Sequence, residues 1–576
     1  MIENSYDIPF VAELSRREKQ IQQNYRPIIA VHKWFARRPG TLFRSLLLSE
    51  FSDTSLHKAF YQTGNLSGKT IADPFMGGGT PLIEANRMGA NIKGCDINPM
   101  AYWIVRQELE YLDTRAYQAA ADILRESLEK EIGSLYRTKC EICGNEEAHV
   151  KYFLYVKTQL CNYCGSSIDL FPGYLISEDV RHPKNVLLCK YCGTLTEITD
   201  RNNPGYCSHC GLPLVIEGPA HGNHCECPKC HEISKYPDIQ KGPLSHRLFA
   251  IEYYCPECKD EHQGRFFKVP DSADLEKTKE AEKRLENMHP EYIPNDAIPS
   301  GDETNRLHRW GYTKYSELFN SRQLLSLELS CQLISSQTDE RIHNALATNL
   351  SDLLRYQNML CRYDTTVLKS LDIFSIHGFP VGLIQCESNF LGIKNGGRIP
   401  LGSGGWLNII EKYVKAKKYC TEIFEVQRDK SHKGNKKIIV PIYGEWIGDN
   451  KNNSSKRILD ITCQDAASID WKPNSLDGIF TDPPYFGNVQ YAELMDFCYV
   501  WLRSLVKFNT AAFAPVSTRN ENELTGNDDM RRGLSHFTQG LSKVFTATAN
   551  ALKPHAPFVF TYHHNDITAY YPVAVA

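Results

Sequence analysis

The feature that most constrains this chain is a group of six C-x-x-C pairs between residues 140 and 258. Two such pairs can present four thiolates tetrahedrally to one zinc ion, because each pair forms a tight knuckle. A glycine follows the second cysteine of four pairs and frees the backbone to turn under a metal. Taken in sequence order, the pairs form three successive zinc-ribbon-like units, although interleaved pairing would leave the same pattern. The predicted ligands of up to three Zn²⁺ ions are Cys140, Cys143, Cys161, Cys164, Cys189, Cys192, Cys207, Cys210, Cys227, Cys230, Cys255 and Cys258.

Two other uses of these cysteines compete with zinc binding. A disulfide framework would need an oxidising compartment, and the N-terminal sequence MIENSYDIPF contains no secretory signal. Thiol exchange needs one C-x-x-C pair rather than six. Structural zinc is therefore the favoured interpretation, and we expect a cytoplasmic protein.

The composition excludes several classes of protein. With 42% hydrophobic and 23% charged residues, the chain of 576 residues is predicted to be globular rather than disordered. No run of about 18 apolar residues occurs, so no membrane-spanning helix is expected. A net charge of −3 argues against a protein that coats nucleic acid through overall positive charge, although it is compatible with a local basic face.

The segment before the cysteines resembles the first half of a nucleotide-binding βαβ unit. Residues 68–73 predict a buried strand, a glycine-rich turn follows from Asp73 to Thr80, and a helix leads to a second strand that ends at Asp96. The glycines allow a ligand to approach the backbone closely, and Asp96 can hold two ribose hydroxyls. The turn is neither the G-x-G-x-x-G of dinucleotide sites nor a Walker A loop, which would contain Gly-Lys-Ser/Thr.

A second half of the same sheet is predicted nearly 400 residues later. A strand at 457–463 precedes Asp465, and another buried strand ends in Asp482-Pro483-Pro484-Tyr485. The prolines remove two N–H donors, so this turn presents a carboxylate and bare carbonyls that suit an exocyclic amine. The Tyr485 ring can stack on a base that has left its helix. Helices near 490–506 and 537–553 and a strand at 557–564 continue the βαβ rhythm of a doubly wound sheet.

The remaining segments are predicted with less local detail. Residues 271–305 predict a solvated helix and a linker, and the Leu stripes of 315–370 predict packed helices. Residues 514–534 are predicted to form a mobile loop near the target, where Arg531 and Arg532 are more simply solvated than bound to phosphate. Five strands are predicted where a complete sheet of this kind has seven, so we expect the chain to be truncated.

The two site motifs together resemble amino-group methyltransferases of the adenine-N6 type. Asp73-Pro74-Phe75-Met76-Gly77-Gly78-Gly79-Thr80 is similar to their S-adenosylmethionine turn, and Asp482-Pro483-Pro484-Tyr485 to their catalytic motif. Cytosine-N4 enzymes usually carry Ser-Pro-Pro-Tyr instead. The whole chain resembles the zinc-ribbon-containing adenine-specific DNA methylases, known also by the domain of unknown function 1156. Further segments that carry this resemblance are His32–Pro39, Arg309–Thr313, Leu318–Phe319, Arg322–Leu324, Gly402–Trp406 and Tyr491–Arg503.

The resemblance implies a fold and a domain order. It implies an α/β protein with a doubly wound, Rossmann-like class I methyltransferase sheet, split by a zinc-ribbon insert and a helical insert. The boundaries predicted are 1–135 for the N-terminal half with the donor-binding turn, 136–262 for the three zinc-ribbon-like units, 263–445 for the linker and helical insert, and 446–576 for the C-terminal half.

The resemblance also implies residue roles. Asp482, Pro483, Pro484 and Tyr485 would form the catalytic motif, with the target amine on Asp482 and the Pro483 carbonyl. Asp96 would take the ribose hydroxyls of S-adenosylmethionine, and Asp465 its adenine amino group. Arg37 or Arg38 would contact the donor carboxylate or a DNA phosphate. The remaining implied donor-binding residues are Asp73, Phe75, Gly77, Gly79 and Thr80.

The function so implied is transfer of a methyl group to the N6 amine of a flipped adenine in DNA. The resemblance further suggests a role in restriction-modification or phage defence, with other proteins of such a system as partners. Two alternatives stay open, a methyltransferase acting on an RNA base amine and a non-catalytic nucleic-acid-binding protein. The zinc region is predicted to supply contacts to the nucleic-acid target.

Overall fold

The computed structural model of the protein describes residues 2–238, 242–397, 399–428, 437–449, 457–487, 489–506, 511–527, 529–564 and 567–576. Residues 450–456 of the predicted C-terminal half and Asp528 of the predicted loop lie outside this set. The chain divides into two units. The first comprises Met1–Ala120, Gln337–Asp352 and Glu411–Ala576, and the second comprises Ala121–Ser336 and Leu353–Ile410.

The first unit is built on a five-stranded parallel sheet. Its strands are β1 (Thr70–Asp73), β2 (Asn91–Asp96), β3 (Leu459–Cys463), β4 (Gly478–Thr481) and β5 (Phe558–Phe560), in the spatial order β3-β2-β1-β4-β5. These strands coincide with the five that the sequence predicts. The strand order runs outward from β1 in one direction to β3 and in the other direction to β5, which is compatible with a Rossmann-like fold. In such sheets, ligands bind at the point where the strand order reverses.

Helices connect and cover this sheet. The helices at Thr80–Arg87 and Pro99–Leu109 pack against β1, β2 and β3. Asn98 begins the second of them, because its side chain accepts a hydrogen bond from the Met100 N–H at 2.9 Å. The other helices of the unit are Ile2–Ser5, Ile8–Gln20, Gln22–Tyr25, Gly40–Phe51, Leu56–Ala59, Tyr491–Leu505, Leu534–Ala549 and Tyr571–Val575, and a two-stranded ribbon pairs Phe424–Arg428 with Lys437–Pro441.

Three helices run from residues of one unit into residues of the other. They are Thr114–Ile132, Glu340–Leu353 and Trp406–Tyr419. No helix among the described residues is long and apolar enough to span a membrane.

The second unit contains the cysteine region. Its main antiparallel sheet has the order Arg265–Lys268, Ser245–Tyr254, Ala148–Leu160 and Ile384–Ser388. Two short strands, Arg137–Thr138 and Ser167–Asp169, also pair with Ala148–Leu160. Two three-stranded sheets lie within the same region, one of Leu175–Ser177, Asn185–Leu188 and Leu195–Ile198, and one of Ala220–His221, His224–Glu226 and Ile233–Lys235.

The second unit also contains helices. The predicted solvated helix lies at Ser272–Asn287 and begins with a capping box of Asp271 and Asp274. The helix Ser321–Ser335 buries Leu325, Leu327 and Ile334, as its Leu stripe predicts. A short helix lies at Asn305–His308, and a hairpin pairs Arg362–Asp364 with Lys369–Leu371.

The prediction that helix continues through residues 354–363 is wrong. The helix that begins at Glu340 ends at Leu353. The Asn358 side chain donates to the carbonyls of Leu354 at 2.8 Å and Arg355 at 3.2 Å. These carbonyls would otherwise accept from the next helical turn, so the side chain replaces the backbone donors and the chain leaves the helix.

Candidate active site and metal centres

A cavity of about 240 Å³ lies at the carboxyl ends of β1 to β4 in the first unit. The glycine-rich turn and the Asp-Pro-Pro-Tyr turn, nearly 400 residues apart in sequence, both line it. Gly79 is the only residue of the predicted active site that does not line this cavity. Its φ of +77° starts the helix Thr80–Arg87. The predicted site residues that line it are Asp73, Phe75, Gly77, Thr80, Asp96, Asp465, Asp482, Pro483, Pro484 and Tyr485.

Asp96 fixes the glycine-rich turn from the end of β2. Its Oδ2 accepts from the Gly77 N–H at 2.8 Å, and its Oδ1 accepts from the Asn98 N–H at 2.9 Å. Burial raises the pKa of Asp96 to about 6. Gly77 has a φ of +46°, and a Cβ there would lie 2.9 Å from the indole nitrogen of Trp34. The Asp96 carboxylate thus holds the turn by a hydrogen bond, and the Trp34 ring packs against it at Gly77.

Asp73 links the ends of β1 and β4. Its Oδ1 accepts from the Phe75 N–H at 3.0 Å and from the Thr481 hydroxyl at 2.6 Å. Its Oδ2 is buried and has no hydrogen-bond partner within the described part of the chain. Burial raises the pKa of Asp73 to about 8, so the carboxyl group is protonated at neutral pH. A buried oxygen without a partner beside a cavity suits a ligand that carries positive charge.

Asp465 follows β3, as its sequence position predicts. Its Oδ1 accepts from the Ala467 N–H at 2.9 Å and caps the short 3-10 helix Ala466–Ser468. It lines the cavity together with Ala466. Capping orients the carboxylate, so it can meet an amino group in the cavity without further rearrangement.

Asp482 lies at the end of β4 with its two oxygens in different surroundings. Oδ1 accepts from the Thr561 hydroxyl at 2.5 Å and from the Tyr485 hydroxyl at 3.1 Å. Arg38 Nε lies 3.1 Å from both oxygens, and it is the partner of Oδ2 among the described residues. Burial raises the pKa of Asp482, and Arg38 opposes this shift. Oδ1 therefore has two neutral hydroxyl donors besides Arg38, whereas Oδ2 is contacted by Arg38 alone within the described part of the chain.

Tyr485 is buried in this structure. Its hydroxyl accepts from the His563 N–H at 3.0 Å and from the Arg38 guanidinium. Its ring lies 4.5 Å from that of Tyr562, and the Arg38 guanidinium lies 5.0 Å from its centroid. A base could therefore stack on Tyr485 only after Arg38 has moved.

The two neighbouring arginines have different surroundings. The Arg37 side chain is 6% exposed and donates to the Gly78 carbonyl at 2.6 Å and to Glu108 Oε1 at 2.8 Å. It therefore supports the glycine-rich turn from behind. Arg38 contacts the Asp-Pro-Pro-Tyr turn instead. Their order in the sequence does not reveal this division, because Ala36 adopts a φ of +52° and redirects the chain just before them.

The segment 514–534, predicted as a loop near the target, contributes to the cavity wall. Residues 522–525 line the cavity. Asn527 donates to Glu493 Oε1 at 2.7 Å and to Gln490 Oε1 at 3.0 Å, beside the helix Tyr491–Leu505. Arg532 is buried and paired with Glu523 at 2.8 Å, so the expectation that it is solvated is wrong. Arg531 is exposed.

The twelve predicted cysteine ligands form three tetrads in the second unit. Pairing in sequence order is confirmed for the middle unit, Cys189–Cys210, and is wrong for the two outer units. The tetrads are nested, with Cys140, Cys143, Cys255 and Cys258 outermost, Cys161, Cys164, Cys227 and Cys230 between, and Cys189, Cys192, Cys207 and Cys210 innermost. The cause is the antiparallel pairing of Ala148–Leu160 with Ser245–Tyr254. Because these strands enter and leave the cysteine region side by side, they bring its first and last pairs together.

The sulfur positions fit tetrahedral zinc. Across each tetrad the sulfurs of facing pairs lie 3.6–3.9 Å apart. A zinc–sulfur bond of about 2.3 Å gives a tetrahedral edge of about 3.8 Å. The glycines after four of the knuckles all have φ between +70° and +78°, and His231 takes the same conformation after Cys230. These tetrads could each hold one Zn²⁺ ion.

Paired cysteine substitutions should distinguish nesting from sequence order. In the cobalt-substituted protein, Cys161→Ser/Cys230→Ser should lose about a third of the thiolate-to-cobalt absorption, because both residues belong to one tetrad. Cys143→Ser/Cys161→Ser should lose about two thirds, because these residues belong to two tetrads. Pairing in sequence order requires the reverse pattern. Replacement of the buried Cys225, which belongs to none of the tetrads, is the matched control.

One protein of known activity is similar to part of the chain. It is the type II methyltransferase M.BsoBI of Geobacillus stearothermophilus, 28% identical over 131 residues that make up 22% of this chain and 24% of that protein. The chain thus matches about a quarter of the length of this relative. No protein-family model matches the chain. No solved structure matches it either.

Proposed function

We propose that the protein is an S-adenosylmethionine-dependent DNA methyltransferase that modifies the N6 amine of adenine. The observation that carries the proposal is the meeting of the glycine-rich turn and the Asp-Pro-Pro-Tyr turn at one cavity. One turn suits a nucleoside-containing donor, and the other suits an amine. The similarity to a type II methyltransferase supports the reaction class, and Asp482 rather than serine favours adenine.

The charges of the cavity support this donor. Its lining includes the carboxyl groups of Asp73, Asp96, Asp465, Asp482 and Glu523. Asp482 and Glu523 are paired with Arg38 and Arg532, but no basic side chain among the described residues pairs with the other three. S-adenosylmethionine carries a sulfonium and an ammonium group, and such cations are favoured beside carboxyl groups that lack counter-charge. Asp96 would accept from the ribose hydroxyls and Asp465 from the adenine amino group. The partnerless Oδ2 of Asp73 would face positive charge of the donor.

The acceptor side is formed by Asp482 and its neighbours. We infer that the target amine replaces Arg38 at Oδ2, while Thr561 and Tyr485 keep Oδ1 in place. The Pro483 carbonyl would accept the second N–H of the amine. Displaced from Asp482, Arg38 would be free to meet a phosphate of the nucleic acid.

When bound, S-adenosylmethionine supplies a methyl group attached to a positively charged sulfur. Two hydrogen bonds from the amine, to Asp482 and to the Pro483 carbonyl, draw its nitrogen toward tetrahedral geometry and free its lone pair. The same acceptors stabilise the positive charge that develops on nitrogen. A nitrogen–carbon bond forms as the carbon–sulfur bond breaks, and the nitrogen then loses one proton to solvent. The chain contributes mainly alignment and electrostatic stabilisation.

The second unit supports a nucleic-acid partner. Tyr163 and Tyr191 lie inside C-x-x-C knuckles and Tyr206 directly before one, and their exposed fractions are 67%, 55% and 71%. Such rings can stack on unpaired bases, each contact being worth about 1–3 kcal/mol in other proteins. The Lys190 ammonium lies 4.9 Å from the Tyr191 ring centroid and adds a cation for phosphate.

The test is methyl transfer from tritiated S-adenosylmethionine to unmethylated DNA and to RNA of matched sequence. We expect label on DNA, and N6-methyladenine as the labelled nucleoside after complete digestion. N4-methylcytosine would keep the reaction class and overturn the base assignment. Label on RNA alone would favour the RNA enzyme. If zinc-loaded protein binds the donor but labels neither polymer, the proposed activity is wrong.

Donor binding should release a proton at neutral pH. The Asp73 carboxyl group, with a pKa of about 8, is protonated at pH 7 before binding. A cation beside it lowers the pKa, so up to about 0.9 proton leaves per donor bound at pH 7, and almost none at pH 10. Calorimetry in buffers of different ionisation enthalpy measures this number. Asp73→Asn should abolish the release, and exposed Asp470→Asn should leave it intact. Binding enthalpies that do not depend on the buffer would contradict the assignment.

A further inference from the structure

Two histidines and one glutamate of the second unit converge outside the cysteine tetrads. His182 follows the strand Leu175–Ser177, Glu197 lies on Leu195–Ile198, and His262 follows the last cysteine knuckle. One ligand atom from each lies within 4.8 Å of the other two. His182 Nε2 is 3.9 Å and His262 Nε2 is 3.7 Å from the same oxygen, Glu197 Oε1.

These separations decide between two explanations of the cluster. They are too long for hydrogen bonds, which bring nitrogen and oxygen to about 2.7–3.2 Å. They are close to the separation of about 3.4 Å that two ligands have around one tetrahedral zinc ion at bonds of about 2.0–2.1 Å. The two imidazole rings stack with centroids 5.0 Å apart, and both direct Nε2 at one carboxylate oxygen. A shared metal ion accounts for this arrangement, whereas direct hydrogen bonding does not.

The surroundings of the three groups are those of metal ligands. His182 Nδ1 lies 2.9 Å from the Lys184 carbonyl, a contact that places the proton on Nδ1 and leaves the lone pair of Nε2 free. Lys184 pairs with the other oxygen of Glu197 at 3.1 Å and thereby orients Oε1. His262 has a φ of +48°, which residues with a side chain adopt rarely and which often marks a functional position.

We propose that His182, Glu197 and His262 bind a fourth Zn²⁺ ion at a site separate from the cysteine tetrads. Two imidazoles and a carboxylate are a ligand set typical of zinc rather than of calcium or magnesium. Three protein ligands leave one coordination position for water. His182 is buried, but the side chains of Glu197 and His262 are 37% and 26% exposed, so an ion can enter. The ion would link the strand Leu195–Ile198, which carries Glu197, to the segment after the knuckle Cys255–Cys258, which carries His262.

The experiment measures bound zinc in the full chain after dialysis against a weak chelator. We expect four zinc equivalents per chain, and three in His182→Asn. The exposed His224→Asn is the matched control and should keep four. Glu197→Gln, on a partly exposed side chain, provides a second variant if His182→Asn does not fold. Three equivalents in the unaltered protein, or a fourth that persists in both variants, would overturn the proposal.

A second readout does not depend on counting. In long-range ¹H–¹⁵N correlation spectra, Nε2 of His182 and of His262 should show the chemical shift of a metal-bound nitrogen. Both signals should move to the position of a free imidazole when a chelator removes the fourth ion, while the cysteine tetrads keep theirs. Free imidazole shifts in the four-zinc protein would place the fourth ion elsewhere and overturn the assignment.

Discussion

Asp482→Ala is expected to abolish methyl transfer while leaving donor binding nearly unchanged. The carboxylate is the acceptor toward which the target amine directs its N–H, and its Oδ2 is covered by Arg38 alone among the described residues. Loss of one such preorganised group typically costs a factor of about 10²–10³ in rate. Here the variant also frees Arg38 and leaves the Thr561 and Tyr485 hydroxyls without their acceptor, so we expect a loss of about 10³-fold or more. Single-turnover labelling of DNA measures the rate, and calorimetry with S-adenosylmethionine measures binding.

The control for this experiment is Asp470→Asn, which changes an exposed carboxylate of the same unit and should have no effect. Asp482→Asn keeps the shape and one acceptor oxygen, so its rate should lie between those of Asp482→Ala and the unaltered protein. If Asp482→Ala weakens donor binding as strongly as it slows transfer, the residue belongs to the donor site. In that case the assignment of the amine site is wrong, although the reaction class can stand.

Much of the first unit could be predicted because its signals are local. The strand that ends at Asp73 and the strand before Asp482 are short apolar runs followed by turns of distinctive composition. Parallel strands place such turns at one edge of a sheet, so the sequence alone predicts that they meet. The third acid, Asp465, whose role at the donor only the family resemblance implies, also lines the cavity.

The contacts that complete the cavity could not be predicted, because they depend on side-chain direction and on remote segments. The segments of Trp34 and Leu524 were expected near the site, but nothing in the sequence indicates that these two side chains line the cavity. Arg37 and Arg38 are adjacent and chemically identical, yet one supports the glycine-rich turn and the other covers Asp482. The nested cysteine pairing likewise follows from pairing between strands about 90 residues apart, which C-x-x-C spacing does not encode.

A buried ionic cluster in the first unit was also absent from the sequence prediction. Arg26, Arg44 and Arg87 form ion pairs with Glu84, Glu425 and Glu445, and each of the six side chains is at most 2% exposed. Arg87 contacts all three glutamates, at 2.7, 2.9 and 3.2 Å. Two of the glutamates come from residues more than 330 positions after Arg87. The cluster therefore connects residues 26–87, before the cysteine region, to residues 425–445, after the helical insert.

Arg87→Met should destabilise the first unit by about 3–5 kcal/mol. The substitution keeps most of the side-chain volume but leaves three buried carboxylates with two arginines, and breaking a buried pair from one side has costs of this size. Because two units make a single global transition unreliable, amide hydrogen exchange by mass spectrometry is the appropriate measurement. Peptides covering β1, β2 and β4 should exchange about 10²- to 10⁴-fold faster. Ala148–Leu160, in the other unit, serves as the internal reference.

The exposed Arg115→Met is the matched control and should leave exchange unchanged. Adding Glu445→Gln to Arg87→Met removes one of the unmatched charges, so the double variant should be less destabilised than the sum of the two single variants. A strictly additive result would contradict direct coupling between these side chains. Unaltered exchange in Arg87→Met would mean that the cluster does not contribute to the stability of the first unit. A buried carboxylate that loses its arginine lowers the free energy of unfolding unless it is protonated or reaches water.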